Sequence, residues 1–344
     1  MSRIAITMGD PAGIGPEIIA RAFAEHPDAM RNCFVVGDVG CMRRANAFVC
    51  ATVPGLVLPV AAWDAPALPQ NVPPGTMAVV QVGAALPPIA MGQVSASAGA
   101  MAGHSVLCAT AMALEGKVDA VVTAPLHKEA LHAAGAPFDA FPGHTEMLQD
   151  AAARHLNAPV PVRMMLANNE LRTVLVSIHV SLRQAIEAVQ PDNVLQTIQI
   201  THTALSRLLG RRPRIAVAGL NPHAGEGGLF GSEEQTIITP AMERARALGC
   251  DVHGPFPPDT IFMRARKPAE GASEFDVVVA MYHDQGLIPV KYLGVEQGVN
   301  VTLGLPFVRT SPDHGTAFDI AGTGRASAAS LLAAVQMARA LLTS

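Results

Sequence analysis

Three histidines in this sequence each follow an apolar run that is typical of a buried β-strand. His179 ends the run TVLVSIH, His223 follows RIAVAGLNP, and His283 ends VVVAMYH. In open α/β sheets, ligands bind outside the carboxyl ends of the strands. Three neutral imidazoles meeting there would form a metal site with positions left for substrate or water. The alternative is three unrelated surface or core histidines, because spacing along the chain does not establish convergence.

A second group of residues has the chemistry of anion binding. Lys291, Asn300 and Arg309 recur at similar intervals in a glycine-rich, nearly uncharged stretch, and lysine and arginine can both hold a phosphate. His144 and Thr145 stand at the start of a predicted helix, where free N–H groups favour an anion. The alternatives are a solvated surface for the first three residues and simple helix capping by Thr145.

The elements that must position these residues alternate between strand and helix. Strands rich in Val, Ile and Ala, buried on both faces and separated by helices, predict an α/β fold. The predicted strands cover residues 3–7, 33–38, 118–125, 171–179, 214–220 and 275–283. Helices are predicted after the first strand, over 96–116, near 127–135, from Ser181, from Asp192, over 233–249 (where Pro240 is expected to introduce a kink), and at the C-terminal end.

Composition narrows the class of protein. A chain of 344 residues, half of them apolar, allows one large or two medium domains. No apolar run reaches the roughly 20 residues that span a bilayer, and the first residues do not resemble a signal peptide. The net charge of −4 provides no basic surface for nucleic acid. Five scattered cysteines fit reduced thiols. We expect a soluble, cytoplasmic protein with neither nucleic acid nor membrane as partner.

The N-terminal stretch ITMGDPAGIGPEI follows a strand and opens a helix, as a dinucleotide-binding motif would. Asp38 ends the next strand, near the position of a ribose-binding acid. However, Gly13 and Gly15 are followed by Pro16 and Glu17, and the third glycine of the motif is missing. A Rossmann site is therefore not favoured here.

Several long motifs together resemble the family of 4-hydroxythreonine-4-phosphate dehydrogenases of vitamin B6 biosynthesis, which includes related 4-phospho-threonate and 4-phospho-erythronate dehydrogenases. The resemblance extends from about residue 3 to about residue 340. The motifs are ITMGDPAGIGPEI, APLHKEALHAAG, GHTE, GLNPHAGEGGLFGSEE, MYHDQGLIPVK and GVNVTLGLPFVRTSPDHGTAFDIAGTG. The segment GAPFDAFPGHTE is longer than the usual form of the family, which leaves the exact substrate open.

The resemblance implies a role for each candidate residue. His179, His223 and His283 match the divalent-metal ligands (Zn2+, Mg2+ or Co2+), and the substrate-binding positions match His144, Thr145, Lys291, Asn300 and Arg309. The motif HGTAFDIAGTG also resembles the nucleotide loop of isopropylmalate and isocitrate dehydrogenases, which suggests that His314, Gly315 and Asp319 contact the cofactor.

The same resemblance implies two α/β/α domains with a central cleft, similar to the isopropylmalate/isocitrate dehydrogenase-like fold. The expected domains are residues 1–122 with 285–344, which hold both termini and the nucleotide loop, and residues 123–284, which hold metal and substrate residues and dimer contacts. It also implies a homodimer whose active sites draw residues from both subunits.

The implied reaction is oxidation of 4-phosphooxy-L-threonine at C3 with NAD+ or NADP+, followed by decarboxylation to 3-amino-2-oxopropyl phosphate. A base must accept the proton of the C3 hydroxyl, and Lys128, Asp259 and a water on the metal are candidates. The close alternative is a 4-phospho-D-threonate or 4-phospho-D-erythronate dehydrogenase. More remote alternatives are a three-histidine metal hydrolase and a catalytically silent ligand-binding protein.

Overall fold

The structure is a computed structural model that describes residues 2–53, 55–65, 67–268, 270–294 and 296–343. Strands and helices alternate along this part of the chain, so the predicted α/β class is confirmed. Twelve strands lie within the described residues: β1 (Ile4–Thr7), β2 (Cys33–Gly37), β3 (Val60–Asp64), β4 (Met77–Gln81), β5 (Ala120–Thr123), β6 (Arg163–Ala167), β7 (Arg172–Leu175), β8 (Arg214–Ala218), β9 (Asp251–Phe256), β10 (Val277–Ala280), β11 (Val299–Leu303) and β12 (Val308–Pro312).

Eleven α-helices occupy the same described ranges: α1 (Gly15–Glu25), α2 (Val39–Thr52), α3 (Ala96–Leu114), α4 (Lys128–Ala133), α5 (His144–Leu156), α6 (Leu182–Ala188), α7 (Pro191–Leu209), α8 (Thr239–Ala247), α9 (Ile261–Ala265), α10 (His283–Tyr292) and α11 (Ala329–Leu342). Most begin as local chemistry predicts. Ser181 forms a complete capping box with Gln184 ahead of α6. Pro240 sits in the first turn of α8, where a missing N–H costs little, so the expected kink is replaced by a helix start. A π-helical turn over Glu234–Ile238 precedes it.

The chain divides into two compact units. Unit 1 comprises the residues up to Pro161 together with Leu305–Leu342, and unit 2 comprises Val162–Gly304. This differs from the expected boundaries near residues 122 and 284, because residues 123–161 pack on unit 1 and residues 285–304 on unit 2.

Close contacts explain both differences. A Cβ on Gly99 of α3 would lie 1.9 Å from the carbonyl oxygen of Ala130, so α4 lies directly against α3. A Cβ on Gly286 of α10 would lie 2.4 Å from Leu175 Cδ2, which places α10 directly against β7. Helices α4 and α10 therefore belong to the cores on which they pack.

Unit 1 contains a six-stranded parallel sheet in the order β3-β4-β2-β1-β5-β12. Its central strand β1 is buried along its whole length, as expected for a parallel strand covered on both faces. Helix α3 is long and apolar enough to cross a membrane, but 61% of its apolar window is buried. That degree of burial is what the core helix of a soluble protein shows.

Unit 2 contains strands in the order β11-β6-β7-β10-β8-β9. Strands β7, β10, β8 and β9 are mutually parallel, whereas β6 runs antiparallel to both of its neighbours. The core beneath this sheet is built from side chains such as Leu175, Ala216 and Val278. The three parallel neighbours β7, β10 and β8 therefore end at one edge of the sheet.

Candidate active site

The three candidate metal-binding histidines follow three neighbouring parallel strands of unit 2. His179 comes four residues after β7, His283 three residues after β10, and His223 five residues after β8. The predicted strands extended up to His179 and His283, but both strands end earlier. His283 is instead the first residue of α10. The topology nevertheless places all three histidines beyond one carboxyl-terminal sheet edge, where α/β proteins bind ligands.

His179 and His283 lie side by side. Their ring centroids are 5.7 Å apart with the ring planes tilted by 45°. Nδ1 of His283 lies 2.7 Å from Oδ1 of Asp284. When Nδ1 donates its proton to this carboxylate, the lone pair remains on Nε2, which is the form that binds metal. Asp284 therefore orients one of the two imidazoles.

His223 lies in an unusual left-handed turn. Residues 223–227 all have positive φ, and three of them (His223, Ala224 and Glu226) are not glycine. Left-handed backbone costs a non-glycine residue roughly 1–2 kcal/mol, and such conformations cluster at functional sites.

A cavity of about 670 Å³ in unit 2 adjoins the His223 turn. His223, Asp259, Asp284 and Gln285 contribute polar groups to its wall, and Ile288 contributes apolar surface. This mixture of a few polar groups with apolar surface is typical of a small-molecule site.

The side chains of this region fit a divalent metal in kind. Imidazole nitrogens together with carboxylates are the donors that Zn2+ and similar ions prefer. Within the described residues, however, no three His, Cys, Asp or Glu side chains converge as a metal-ligand group. His179 and His283 are brought together, and His223 shares a cavity wall with Asp284.

A second polar site lies in unit 1 around His144. This residue begins α5, and its pKa is held well below 6.5 by desolvation and by the positive charges of Arg309 and Lys128. Desolvation also lowers the pKa of Arg309 to about 10, although Glu146 opposes this shift. Nη2 of Arg309 donates to Oγ1 of Thr123 over 2.6 Å. Two cations, the carboxylate of Glu146 and a neutral imidazole thus lie together, and the remaining positive charge favours an anionic ligand.

Helix α5 adds its N-terminal N–H groups to this site. Its N-cap is Gly143, and no side chain caps the helix. The suggestion that Thr145 caps α5 is therefore wrong, because Thr145 lies within the first turn. Uncapped N–H groups at a helix start favour an anion, and here they lie beside the His144 cluster.

Lys291 and Asn300 belong to unit 2, whereas Arg309 belongs to unit 1. Lys291 is exposed near the end of α10. Asn300 lies in β11, and its Oδ1 is buried with no hydrogen-bond partner among the residues that the structure describes. The two candidates for the base that accepts the hydroxyl proton belong to different units. Lys128 lies near His144 in unit 1, and Asp259 lies in the wall of the unit 2 cavity.

The segment that carries His314, Gly315 and Asp319 is anchored on the start of α1. The Ile14 N–H donates to the Thr316 carbonyl over 2.9 Å, and Glu17 accepts hydrogen bonds from the N–H groups of residues 322 and 324 at 2.5 and 2.6 Å. Gly315 and Asp319 are exposed, so this anchoring presents them to solvent.

In the sequence, Glu17 stands out only as one of the residues after Gly15, in the segment where the third glycine of the dinucleotide motif is missing, and no local pattern indicates its contacts. Asp38 is completely buried. It caps α2 through the N–H of Cys41 and also accepts hydrogen bonds from Gln81 and Leu86. Its carboxylate is therefore engaged within the protein, which agrees with the rejection of a Rossmann-type ribose site.

An α/β fold that places polar side chains beyond the carboxyl ends of neighbouring parallel strands has them where such folds bind small ligands. The comparisons identify the family. The family described as "Pyridoxal phosphate biosynthetic protein PdxA" matches residues 29–338, and the chain belongs to this family.

Two curated relatives and one crystal structure illustrate the similarity. The 4-hydroxythreonine-4-phosphate dehydrogenase of Beijerinckia indica subsp. indica is 50% identical over 98% of this chain and 94% of its own length. The D-threonate 4-phosphate dehydrogenase of Pectobacterium atrosepticum is 45% identical over 98% of both chains. The crystal structure of 4-hydroxythreonine-4-phosphate dehydrogenase from Klebsiella pneumoniae is 42% identical, with a TM-score of 0.84 over 99% of this chain and 100% of that one.

Proposed function

We propose that this protein is an NAD(P)-dependent, divalent-metal-dependent dehydrogenase that oxidises 4-phosphooxy-L-threonine at C3 and releases CO2 to give 3-amino-2-oxopropyl phosphate. The reaction belongs to pyridoxal 5'-phosphate biosynthesis, and we place it in the cytoplasm. The observation that carries this proposal is the placement of His179, His223 and His283 after three neighbouring parallel strands, in a chain that belongs to the PdxA family.

The site in unit 1 would bind the anionic part of the substrate. Arg309 and Lys128 contribute positive charge, and the uncapped start of α5, which includes Thr145, contributes N–H donors. His144 stays neutral because its pKa lies well below the ordinary value. A neutral imidazole has one donor and one acceptor nitrogen, so His144 can bind a hydroxyl or an anionic oxygen without adding charge.

The residues of unit 2 would bind the metal and the remaining polar groups of the substrate. His179, His223 and His283 would hold the ion, and Lys291 and Asn300 would contact substrate. When bound, a divalent metal polarises a coordinated carbonyl. The proton of the C3 hydroxyl needs a base of the protein, for which Asp259 is one candidate and Lys128 the other, provided that its amine has first lost its proton. His314, Gly315 and Asp319 would contact the nicotinamide cofactor.

A second candidate substrate is supported by the relatives. D-threonate 4-phosphate dehydrogenases are 45–46% identical to this chain over almost all of its length, close to the 50% of the first relative. 4-Phospho-D-threonate and 4-phospho-D-erythronate carry a hydroxyl where phosphohydroxythreonine carries an amine. The chemistry at C3 is the same in each case.

A substrate panel tests the proposal. The three phosphorylated acids are compared with NAD+ and with NADP+ in the presence of Zn2+, Mg2+ or Co2+, and formation of NAD(P)H is followed by absorbance. We expect turnover with at least one acid, and its loss after strong chelation. Absence of NAD(P)H with every acid, or full turnover in metal-free protein, would contradict the proposal.

We also propose a homodimer with shared active sites. Two inactive variants, His179→Ala and Arg309→Ala, are mixed and allowed to exchange subunits, with a tagged chain to confirm exchange. If the two residues reach one site from different chains, about a quarter of the sites regain activity, because half the dimers of a randomly remixed pair are mixed. All pairs among the site residues are tested, and no recovery in any exchanged pair would refute the shared site.

A further inference from the structure

The His223 turn depends on a buried carboxylate. Backbone with φ of 51° at His223 and 53° at Ala224 is unfavourable for residues with a Cβ. Such a turn persists only where its surroundings hold it in place.

Glu234 provides these contacts. Its side chain is almost completely buried, at 3% exposure. Oε1 accepts hydrogen bonds from the N–H groups of Leu220 and Asn221, both at 2.7 Å. Oε2 accepts one from Nδ2 of Asn221 at 3.0 Å, and the same nitrogen lies 2.7 Å from Oε2 of Glu233. One carboxylate thus holds both the backbone and the side chain that lead into the turn.

Two glycines of the loop lie in close contact with these groups. A Cβ on Gly225 would lie 2.7 Å from Oε2 of Glu234, and a Cβ on Gly231 would lie 2.4 Å from Nδ2 of Asn221. Beyond them, the N–H of Ala224 donates to the carbonyl of Asn221 over 3.1 Å. The backbone of the loop therefore lies too close to Glu234 and Asn221 for a side chain to fit at Gly225 or Gly231. These contacts determine the path of the chain through His223.

Glu234 itself begins a π-helical turn that ends at Ile238. Such turns insert one extra residue into a helix and are frequent at functional sites. Here the irregular turn places a carboxylate beneath a loop that lines the cavity of unit 2.

We infer that Glu234, acting with Asn221, is the positioning residue for His223 and thereby sets the affinity of the protein for its divalent metal. The inference rests on the proposed function, in which His223 is a metal ligand. Residues that orient a ligand without touching the metal typically change metal affinity about 10- to 100-fold when they are replaced. Because Glu234 contacts only the backbone and Asn221 ahead of His223, we expect its effect to fall on metal binding and not on the chemical step once metal is bound.

The test compares Glu234→Gln with Glu243→Gln, which makes the same chemical change on the exposed surface of α8. Affinity for Zn2+ is measured by competition with a chromophoric chelator, and the absorption spectrum of bound Co2+ reports ligand geometry. We expect Glu234→Gln to weaken Zn2+ binding about 10- to 100-fold and to alter the Co2+ spectrum. Turnover at saturating metal should stay within about threefold of wild type, a factor that corresponds to about 0.65 kcal/mol. Glu243→Gln should match wild type in every measurement.

Asn221→Ala serves as a second, milder variant in case Glu234→Gln does not fold, because it leaves the contacts of Glu234 to the backbone in place. It should weaken Zn2+ binding by a smaller factor. Wild-type Zn2+ affinity in the variant that folds would overturn the positioning role alone. If the wild-type protein binds no divalent metal, the metal-dependent function fails, and the positioning role fails with it.

Discussion

Arg309 offers a prediction in which ligand binding falls while the stability of the ligand-free protein changes little. The residue is 3% exposed in β12, and burial lowers the pKa of its guanidinium from 12.5 to about 10. The charged form is therefore disfavoured in the folded protein, and at neutral pH this penalty is present in full. It would be relieved only as the pH rises through 10. The perturbation we consider is Arg309→Met, which removes the charge and keeps an unbranched chain.

A pKa that falls from 12.5 to about 10 corresponds to roughly 3 kcal/mol against the charged form. Loss of the charge-assisted hydrogen bond to Thr123 offsets about 1.5–3 kcal/mol of this, and imperfect packing of methionine offsets about 1 kcal/mol more. We therefore expect the stability of the ligand-free variant to lie within about 1 kcal/mol of wild type. In contrast, losing a charge-assisted hydrogen bond to a phosphate costs about 1.5–3 kcal/mol, so kcat/KM should fall roughly 10- to 100-fold.

The assay is urea unfolding with and without inorganic phosphate. At about 100 times its dissociation constant, a ligand stabilises the folded state by about 2.7 kcal/mol. Wild type should show such a gain, and Arg309→Met should lose most of it. Arg31→Met, at an arginine with 74% of its side chain exposed, is the matched control and should behave as wild type. A ligand-free Arg309→Met protein destabilised by several kcal/mol, with its phosphate response intact, would refute this reasoning.

Three further predictions concern stability and loop order. Ala224→Gly should raise the free energy of unfolding by up to about 1 kcal/mol, because a left-handed alanine costs about 1–2 kcal/mol; lower stability by urea unfolding would contradict this. Burial tends to raise the pKa of Asp276. Hydrogen bonds from Arg211 and from the backbone N–H and side chain of Arg214 outweigh this effect and lower the pKa to about 2. This carboxylate therefore stabilises the fold above pH 3.8, and the gain is lost as the pH falls toward 2. Asp276→Asn should cost about 2 kcal/mol at pH 7 and flatten the acid limb of the stability profile, and an unchanged limb would refute the assignment. Glu17→Gln should speed amide exchange at residues 322–324 about 10- to 100-fold, since each charge-assisted hydrogen bond is worth about 1.5–3 kcal/mol; unchanged exchange there would exclude the anchoring role.

The sequence predicted the buried parallel strands well. Strands β1, β2, β5, β8 and β10 consist almost entirely of Val, Ile, Ala and other apolar residues, so their pattern is clear without any neighbour. Strand β3, in contrast, is half-buried to exposed, and β11 carries Asn300 within a run that was interpreted only as an anion-binding stretch. Such strands depend on their pairing partners, which a local pattern does not contain.

The residues of the candidate site were likewise only partly predictable from the sequence. The three histidines were singled out because each follows a recognisable strand, and β7, β10 and β8 are indeed neighbours in the sheet. Their role as metal ligands stays a prediction. The roles of Glu17 and Glu234 were missed. Glu17 accepts hydrogen bonds from the N–H groups of residues 322 and 324, which follow it in the chain by 305 and 307 positions. Glu234 holds the backbone that leads into the turn at His223. Contacts of this kind depend on how the folded chain brings distant residues together, and the local pattern of the sequence does not reveal them.

The two-part composition of unit 1 has a consequence for folding during synthesis. All the strands of unit 2 lie in one continuous stretch, Val162–Gly304, so this unit can assemble its sheet as soon as that stretch leaves the ribosome. In unit 1, β5 lacks its neighbour β12 until residues beyond Leu305 are made. A nascent chain would thus carry an apolar, unpaired strand edge for the time needed to translate some 180 residues, about 10–40 s at ordinary bacterial rates. Unpaired edges of this kind can pair with other chains, so the later-made segment that contains Arg309 also covers a strand edge that is prone to aggregation.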